Sequence, residues 1–275
     1  MARAADEEVT APINYLGPMA ERPVFFAQQY HKNNLNLVAH EVAIRNFRDH
    51  LGEATLSTTG FELVEHKTSV SDFCSAEQVA RAYIPEIREL IGSLTGARKV
   101  VVTPPVLRWS EREPHPERVN SRPGRFAHVD YSREAFHAFA RSHLGDDPQA
   151  ARWLAGRYAA FNIWRVMSQP PQDCPLGLLD RRSTSASDVI EGDAVIDADG
   201  RPEFRFGSSL YRANPRHRWG YFRDMRSDEA AVFLAYDSAD DALPGVPHSA
   251  FDDPSCPGDA PPRASCEIRA YAYWG

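Results

Sequence analysis

At 275 residues and 43% hydrophobic composition, the chain can bury the core of one large domain or two small ones, which excludes a disordered protein. Lys plus Arg number 31 against 38 Asp plus Glu, a formal net charge of −7, so no global charge argues for nucleic acid or an anionic membrane as partner. The four cysteines (Cys74, Cys174, Cys256 and Cys266) form no CxxC pair, the start MARAADEEVTAP has no apolar signal region, and nowhere do about 18 apolar residues run together. Zinc-finger, dithiol-redox and membrane-spanning classes fall away, and a soluble cytoplasmic protein is expected.

In chain order, Pro12, Pro18 and Pro23 around Asn14-Tyr15-Leu16 predict an extended arm laid over the body. Loose alternation predicts strands over 37–47 and 61–64. Val79, Tyr83, Ile87, Leu90, Ile91 and Leu94 fall at helical spacing within 76–94, interrupted by Pro85 and closed by Gly96, so a kinked or broken helix is expected there. The β-branched run 99–102 predicts a buried strand. The charged, Pro-rich stretch from Arg108 to Arg125 suits a surface loop of the kind that covers sites. A strand over 126–130 follows, then Ser132 as N-cap of a helix to about Leu144, and a second helix start at Asp147-Pro148. From Phe161 onward strand-like runs dominate (161–167, 176–179, 208–212, 219–222, 231–236, 248–251 and 266–274). Short strands without long helices between them favour antiparallel sheets, as in a sandwich or jelly roll, and no repeat or low-complexity linker divides the chain.

Iron that activates dioxygen needs a few protein ligands on one face and open positions opposite, which two imidazoles and one carboxylate supply. In His128-Val129-Asp130, alternation along a strand points the two outer side chains to the same side. Of the later histidines, His217 sits in RANPRHRW, a setting that reads as a solvated loop, whereas His248 opens the strand-like run HSAF. Arg263-Ala264-Ser265 follows at the start of the final strand. An Arg there can grip the far carboxylate of an iron-chelating 2-oxo acid through two parallel charge-assisted hydrogen bonds, and a Ser two residues on shares its face. The order HxD, distant His, RxS is far more specific than any of its parts.

The segments NYLGPMAERP (14–23), GFELVEHKT (60–68), HVDYS (128–132), NIWRV (162–166), PLGLLD (175–180), LYRANPRHRWGYF (210–222), DEAAVFLAYDS (228–238), HSAFDDP (248–254) and PRASCEIRA (262–270) extend this over nearly the whole chain. Together they resemble the iron and 2-oxoglutarate dependent hydroxylase/desaturase family that includes the cephamycin C7 hydroxylase component, gibberellin desaturase-like fungal proteins and aziridine-forming amino acid oxidases. The resemblance implies a double-stranded β-helix (a cupin-like jelly roll, mainly β with flanking helices), iron at His128, Asp130 and His248, and cosubstrate binding at Arg263 with Ser265. The chain departs from the family pattern at Ala264, where an acidic residue is usual, and at Gly220, where an aromatic is usual.

The expectation is a single domain over 1–275, with an arm, helix and strands in 1–125 and the metal-binding jelly-roll core in 126–275. Its chemistry is Fe(II)- and 2-oxoglutarate-dependent attack by dioxygen on an unactivated C–H bond of a small carboxylate-bearing or amino-acid-derived metabolite, in secondary metabolism, with hydroxylation, desaturation or ring closure as outcome. Tyr131, Asn162, Trp164 and Arg165 are candidate substrate contacts. Arg165 is available for a substrate carboxylate, against the plainer readings of a packed aromatic at 131 and 164 and a structural ion pair at 165. Two alternatives stand beside this one: an Fe(II) oxidase that uses no 2-oxoglutarate, and a jelly-roll accessory subunit for a partner methyltransferase.

Overall fold

The computed structural model describes residues 8–110, 122–197, 203–240 and 242–275. Its strands are β1 (Glu8–Leu16), β2 (Val24–Phe26), β3 (Leu37–Asn46), β4 (Phe61–Glu65), β5 (Lys99–Val102), β6 (Val106–Trp109), β7 (His128–Val129), β8 (Tyr158–Val166), β9 (Leu176–Leu179), β10 (Val189–Ile196), β11 (Phe204–Tyr211), β12 (Trp219–Tyr221), β13 (Glu229–Asp237), β14 (His248–Ala250) and β15 (Ala264–Tyr273). They form two sheets. One has the order β1-β3-β12-β9-β14-β7-β11-β10-β2, the other β4-β13-β8-β15-β5, with β6 paired to the start of β15. Most pairings are antiparallel, and the two curled sheets make the jelly roll that the short strands predict.

The core explains why the central strands tolerate so few polar residues. β13 is buried at every position and β8 at all but its first, because the second sheet is covered on both sides. One side faces the larger sheet. The other receives α2 (Ile84–Thr95), whose buried Ile87 and Ile91 fall one turn apart; each such burial contributes about 1.5–3 kcal/mol. The break expected at Pro85 is a π-helical segment, Val79–Tyr83, between the single turn α1 (Ala76–Gln78) and α2. Pro85 falls in the first turn of α2, where its missing N–H is least disruptive, and Gly96 ends the helix with a left-handed φ of 68°.

The arm expected at the N-terminus is strand β1. Val9, Ala11, Ile13 and Tyr15 alternate inward along it, and it tolerates Pro12 because it is an edge strand, with β3 as its ladder partner among the described residues. β2, β6 and β10 also form strands where none was expected. The strand expected over 126–130 is paired only at His128 and Val129. Ser132 caps α3 (Arg133–Ser142) by accepting from the Ala135 N–H at 3.2 Å, which contributes about 1 kcal/mol. The next helix, α4 (Ala150–Ala155), begins two residues after Pro148. Most of the expected covering loop, 111–121, lies outside the described residues. Among the described residues no helix is long and apolar enough to cross a membrane and no disulfide joins two cysteines.

Gly220, where the family pattern has an aromatic, has a local cause. A Cβ at this position would meet the Phe47 ring at 2.3 Å, so Phe47 already fills the space a larger side chain would need.

Candidate metal and cosubstrate centre

His128 and His248 are 120 positions apart in the chain yet directly opposite one another, because β7 and β14 are antiparallel neighbours in the middle of the larger sheet. Their ring centroids lie 4.4 Å apart. Alternation sends Ala127 and Val129 into the apolar cluster on one face and turns His128 toward the second sheet. Asp130 joins it there. One ligand-type atom from each of His128, Asp130 and His248 falls within 4.8 Å of the other two, and all three residues are buried or nearly so. Phe126 and Phe233 pack against the imidazoles of His128 and His248 at centroid distances of 4.8 and 4.9 Å.

Hydrogen bonds decide which atoms stay available. The His128 Nδ1 lies 2.8 Å from the Phe126 carbonyl oxygen and the His248 Nδ1 lies 3.2 Å from that of Val246. A carbonyl only accepts, so each Nδ1 carries the proton and each Nε2 keeps its lone pair. Burial, then the neighbouring His248, pushes the His128 pKa down to about 4, so its imidazole is neutral and ready to ligate near neutral pH.

Asp130 is held by one oxygen only. Its Oδ2 accepts from the Asn162 Nδ2 and from the Arg269 Nε, both at 2.8 Å, while Oδ1 faces the His128 Nε2 at 3.9 Å. Burial alone would raise its pKa, but the Arg269 guanidinium outweighs that and holds the carboxyl well below the usual range. Arg269 is itself shared with Glu267, which also faces Arg108 at 3.5 Å. Such outer partners orient a ligand and tune its basicity. Replacing Arg269 with Leu is therefore expected to weaken Fe(II) binding by about 10–100-fold, read by anaerobic titration; unchanged affinity would show that Asn162 alone suffices to orient Asp130.

A small cavity between the sheets is lined by His128, His248, Trp164, Glu267 and Arg263, among others. Arg263 is 1% exposed, and among the described residues neither its Nε nor its Nη2 meets a hydrogen-bond partner. Its guanidinium sits 5.4 Å from the Trp164 ring centroid, and burial pushes its pKa down. A buried cation whose donors are unmatched among the described residues, beside two imidazole nitrogens, favours an anion at this place. The residues fit 2-oxoglutarate: a chelating 2-oxo acid at one end and a carboxylate at the other. Ser265 lies along the same strand face, fully buried, with its hydroxyl 3.5 Å from the Arg108 carbonyl oxygen. Gly124 closes over the centre, since a Cβ there would meet the His128 Cε1 at 2.8 Å.

The four expected substrate contacts separate. Tyr131 lines a larger cavity of about 950 Å³ together with His128, Asp130 and Arg269. Alternation would have turned it away from Asp130, but β7 ends at Val129 and the rule lapses in the turn before Ser132. Burial pushes the Tyr131 hydroxyl up to about 12, so it remains protonated. Asn162 holds Asp130, and Trp164 lies under Arg263. Arg165 points to the other side of the sheet: it is fully buried, donates to the His66 Nδ1 at 2.6 Å and to the His66 carbonyl at 2.8 Å, and sits over Tyr83. It lines neither cavity.

His217 is not a solvated residue. Its side chain is 1% exposed, with Nδ1 2.9 Å from the Tyr15 hydroxyl and Nε2 3.3 Å from Asp188, away from the three candidate ligands. Arg269 and Glu267 were missed as site residues. Their signal is the run Arg263, Ser265, Glu267, Arg269 at alternate positions of a strand whose intervening residues, Ala264, Cys266, Ile268 and Ala270, are small or apolar.

Comparison with known proteins agrees with this geometry. Residues 13–273 match the family model described as an oxidoreductase/YMDC permease-like domain. An Fe(II)/2-oxoglutarate-dependent dioxygenase of Aspergillus novofumigatus, nvfI, is 29% identical over 249 residues, 88% of this chain and 86% of the relative. The hydroxylase/desaturase CTB9 of Cercospora beticola is 31% identical over 251 residues, 85% of this chain and 76% of the relative. The fold matches that of the solved iron and alpha-ketoglutarate-dependent endoperoxidase NvfI with a TM-score of 0.86 at 24% identity, covering 99% of this chain and all of the other. The chain thus belongs to the Fe(II)/2-oxoglutarate-dependent dioxygenase and hydroxylase/desaturase family, whose enzymes oxidise small molecules with dioxygen, Fe(II) and 2-oxoglutarate.

Proposed function

We propose that Fe(II) is held by the Nε2 atoms of His128 and His248 and by Oδ1 of Asp130, and that 2-oxoglutarate spans from the metal to Arg263 and Ser265. The observation that carries this reading is the buried Arg263 guanidinium, with two donor atoms unmatched among the described residues, in the same cavity as the two histidines. Once bound, Fe(II) and 2-oxoglutarate supply dioxygen activation coupled to oxidative decarboxylation of the cosubstrate to succinate, and the oxidation of an unactivated C–H bond.

The chain's own contribution is geometric and electrostatic. The Phe126 and Val246 carbonyls fix the tautomers of the two imidazoles, while Asn162 and Arg269 leave Asp130 one oxygen with which to ligate. Holding a metal from one side only, these three residues would leave it accessible to cosubstrate and dioxygen. Trp164 supports the Arg263 guanidinium from beneath, and Phe233 shields His248 from solvent. The larger cavity opens onto His128 and Asp130, and the substrate carbon to be oxidised is assigned there, with Tyr131 beside it.

One domain over 1–275 is part of the same proposal. It is supported by β1, β2 and β3 of the first part lying in one sheet with β7 and β14 of the second. A reducing, cytoplasmic location is supported by four cysteines with no disulfide among the described residues.

Anaerobic addition of Fe(II) and 2-oxoglutarate is expected to produce a metal-to-ligand charge-transfer band, and admission of oxygen with substrate to release one succinate per dioxygen consumed. Oxygen uptake without succinate would favour an oxidase that uses no 2-oxoglutarate. Absence of both band and uptake would reject the site.

A further inference from the structure

We infer that the substrate is a bulky molecule whose mass is an apolar, ring-bearing body, bound between the aromatic wall of the larger cavity and the metal centre. The inference rests on the proposed site only for where the oxidised carbon lies. At about 950 Å³ the cavity is several times larger than a free amino acid needs and stands at the upper end of the ~300–1,000 Å³ range of ligand pockets.

The wall has a clear chemistry. Phe25, Phe126, Tyr131, Phe139, Phe204 and Phe206 all line it. Phe25 meets Phe126 edge-on at 5.1 Å and Phe139 meets Phe206 edge-on at 5.2 Å, so ring faces and edges are already presented for a ring-shaped ligand to stack on. The mouth continues this character. Phe204, Ile196 and Leu37 line the cavity yet are 52%, 43% and 40% exposed, and they are three of the six large apolar side chains most exposed among the described residues. Scattered exposed apolar residues are ordinary, but their gathering at one cavity mouth marks a binding surface.

Charge in the cavity is already engaged. Arg125 pairs with Asp252 at 2.8 Å, Arg269 with Asp130 at 2.8 Å, and Arg108 faces Glu267 at 3.5 Å. The Asp173 carboxylate accepts from the Ser110 hydroxyl, and the Arg122 guanidinium stands over the Tyr30 ring. Arg165, the residue sequence reasoning reserved for a substrate carboxylate, lies outside. A ligand that offered mainly charge would have to compete with these pairs, whereas an apolar ring body needs only the surface already exposed to it.

The test uses the protein loaded with Fe(II) and 2-oxoglutarate under anaerobic conditions, titrated calorimetrically with progesterone, a neutral tetracyclic probe, and with L-valine. Progesterone is expected to bind with a negative heat-capacity change and L-valine not to compete with it. Phe206→Ser should weaken progesterone about tenfold, by the lost burial of one ring. Phe204→Ser, at the half-exposed rim where folding is not at stake, should weaken it about threefold, and Leu51→Ser, which lies outside the cavity, should leave it unchanged. No progesterone binding, tighter binding of L-valine, or equal binding by both phenylalanine variants would overturn the inference. The charge-transfer band is recorded on the same samples. A band without progesterone binding rejects the substrate class and spares the iron site, whereas progesterone binding without a band does the reverse.

Discussion

Replacing His248 with Ala is expected to abolish both the Fe(II) and 2-oxoglutarate charge-transfer band and turnover, with metal affinity falling by more than the ~100-fold that loss of an outer partner brings. β14 contributes His248 at the one register position opposite His128, so no other residue of that strand can take its place, and Ser249 projects to the other face. What remains is one imidazole and a carboxylate already tied at one oxygen by Asn162 and Arg269. Two protein ligands leave the metal exchangeable with solvent. His248→Gln, which keeps most of the side-chain volume against Phe233, guards against a folding defect and should behave as the Ala variant does. His217→Ala should keep the band, because His217 is committed to Tyr15 and Asp188. Retention of the band in both His248 variants with loss in the His217 variant would move the third ligand.

The parts of this site legible in the sequence were those in which local geometry decides direction. His128 and Asp130 share a face because strands alternate, and Arg263 and Ser265 do so for the same reason. Which later histidine meets them is a question of strand pairing across more than a hundred residues, and the surrounding residues answered it only indirectly: HSAF has the pattern of a strand, RANPRHRW that of a turn. The turn reading was sound for the backbone and misleading for the side chain, since His217 folds back under Tyr15. Pro12 hid β1 in the same way. The alternation of Val9, Ala11, Ile13 and Tyr15 was present, but proline is compatible with a strand only at an edge, and edge position is a property of the whole sheet. Arg165 failed as a substrate contact because β8 is covered on both sides. A charged side chain there has two interiors to choose from, and the His66 carbonyl and ring lie in the one away from the metal. Arg269 was legible in principle, as the fourth polar residue in register with Arg263 on a strand that is otherwise closely apolar.

Arg263→Leu is expected to raise the 2-oxoglutarate requirement by about 30-fold or more while leaving the metal- and cosubstrate-free protein at least as stable as its parent. The two halves of this prediction have opposite signs for one reason. Removing one partner of a buried charged pair costs about 2–5 kcal/mol of binding, and 2 kcal/mol is about 30-fold. In the free protein the same guanidinium is 1% exposed, with Nε and Nη2 unmatched among the described residues, and such a group opposes folding by about 1–3 kcal/mol or more. Its contact with the Trp164 ring returns only part of that, about 0.5–2 kcal/mol. An apolar side chain of similar reach removes the penalty and the function together. The wild-type melting temperature should therefore rise on adding 2-oxoglutarate with Fe(II), by linkage to binding, while that of the variant should start no lower and rise less. Arg263→Lys separates charge from shape. A point charge keeps the attraction but loses the planar two-pronged grip, so its cosubstrate requirement should fall between those of the other two proteins. A Leu variant with a lower melting temperature and an unchanged 2-oxoglutarate requirement would make Arg263 a structural residue and leave the cosubstrate's far carboxylate to be held elsewhere.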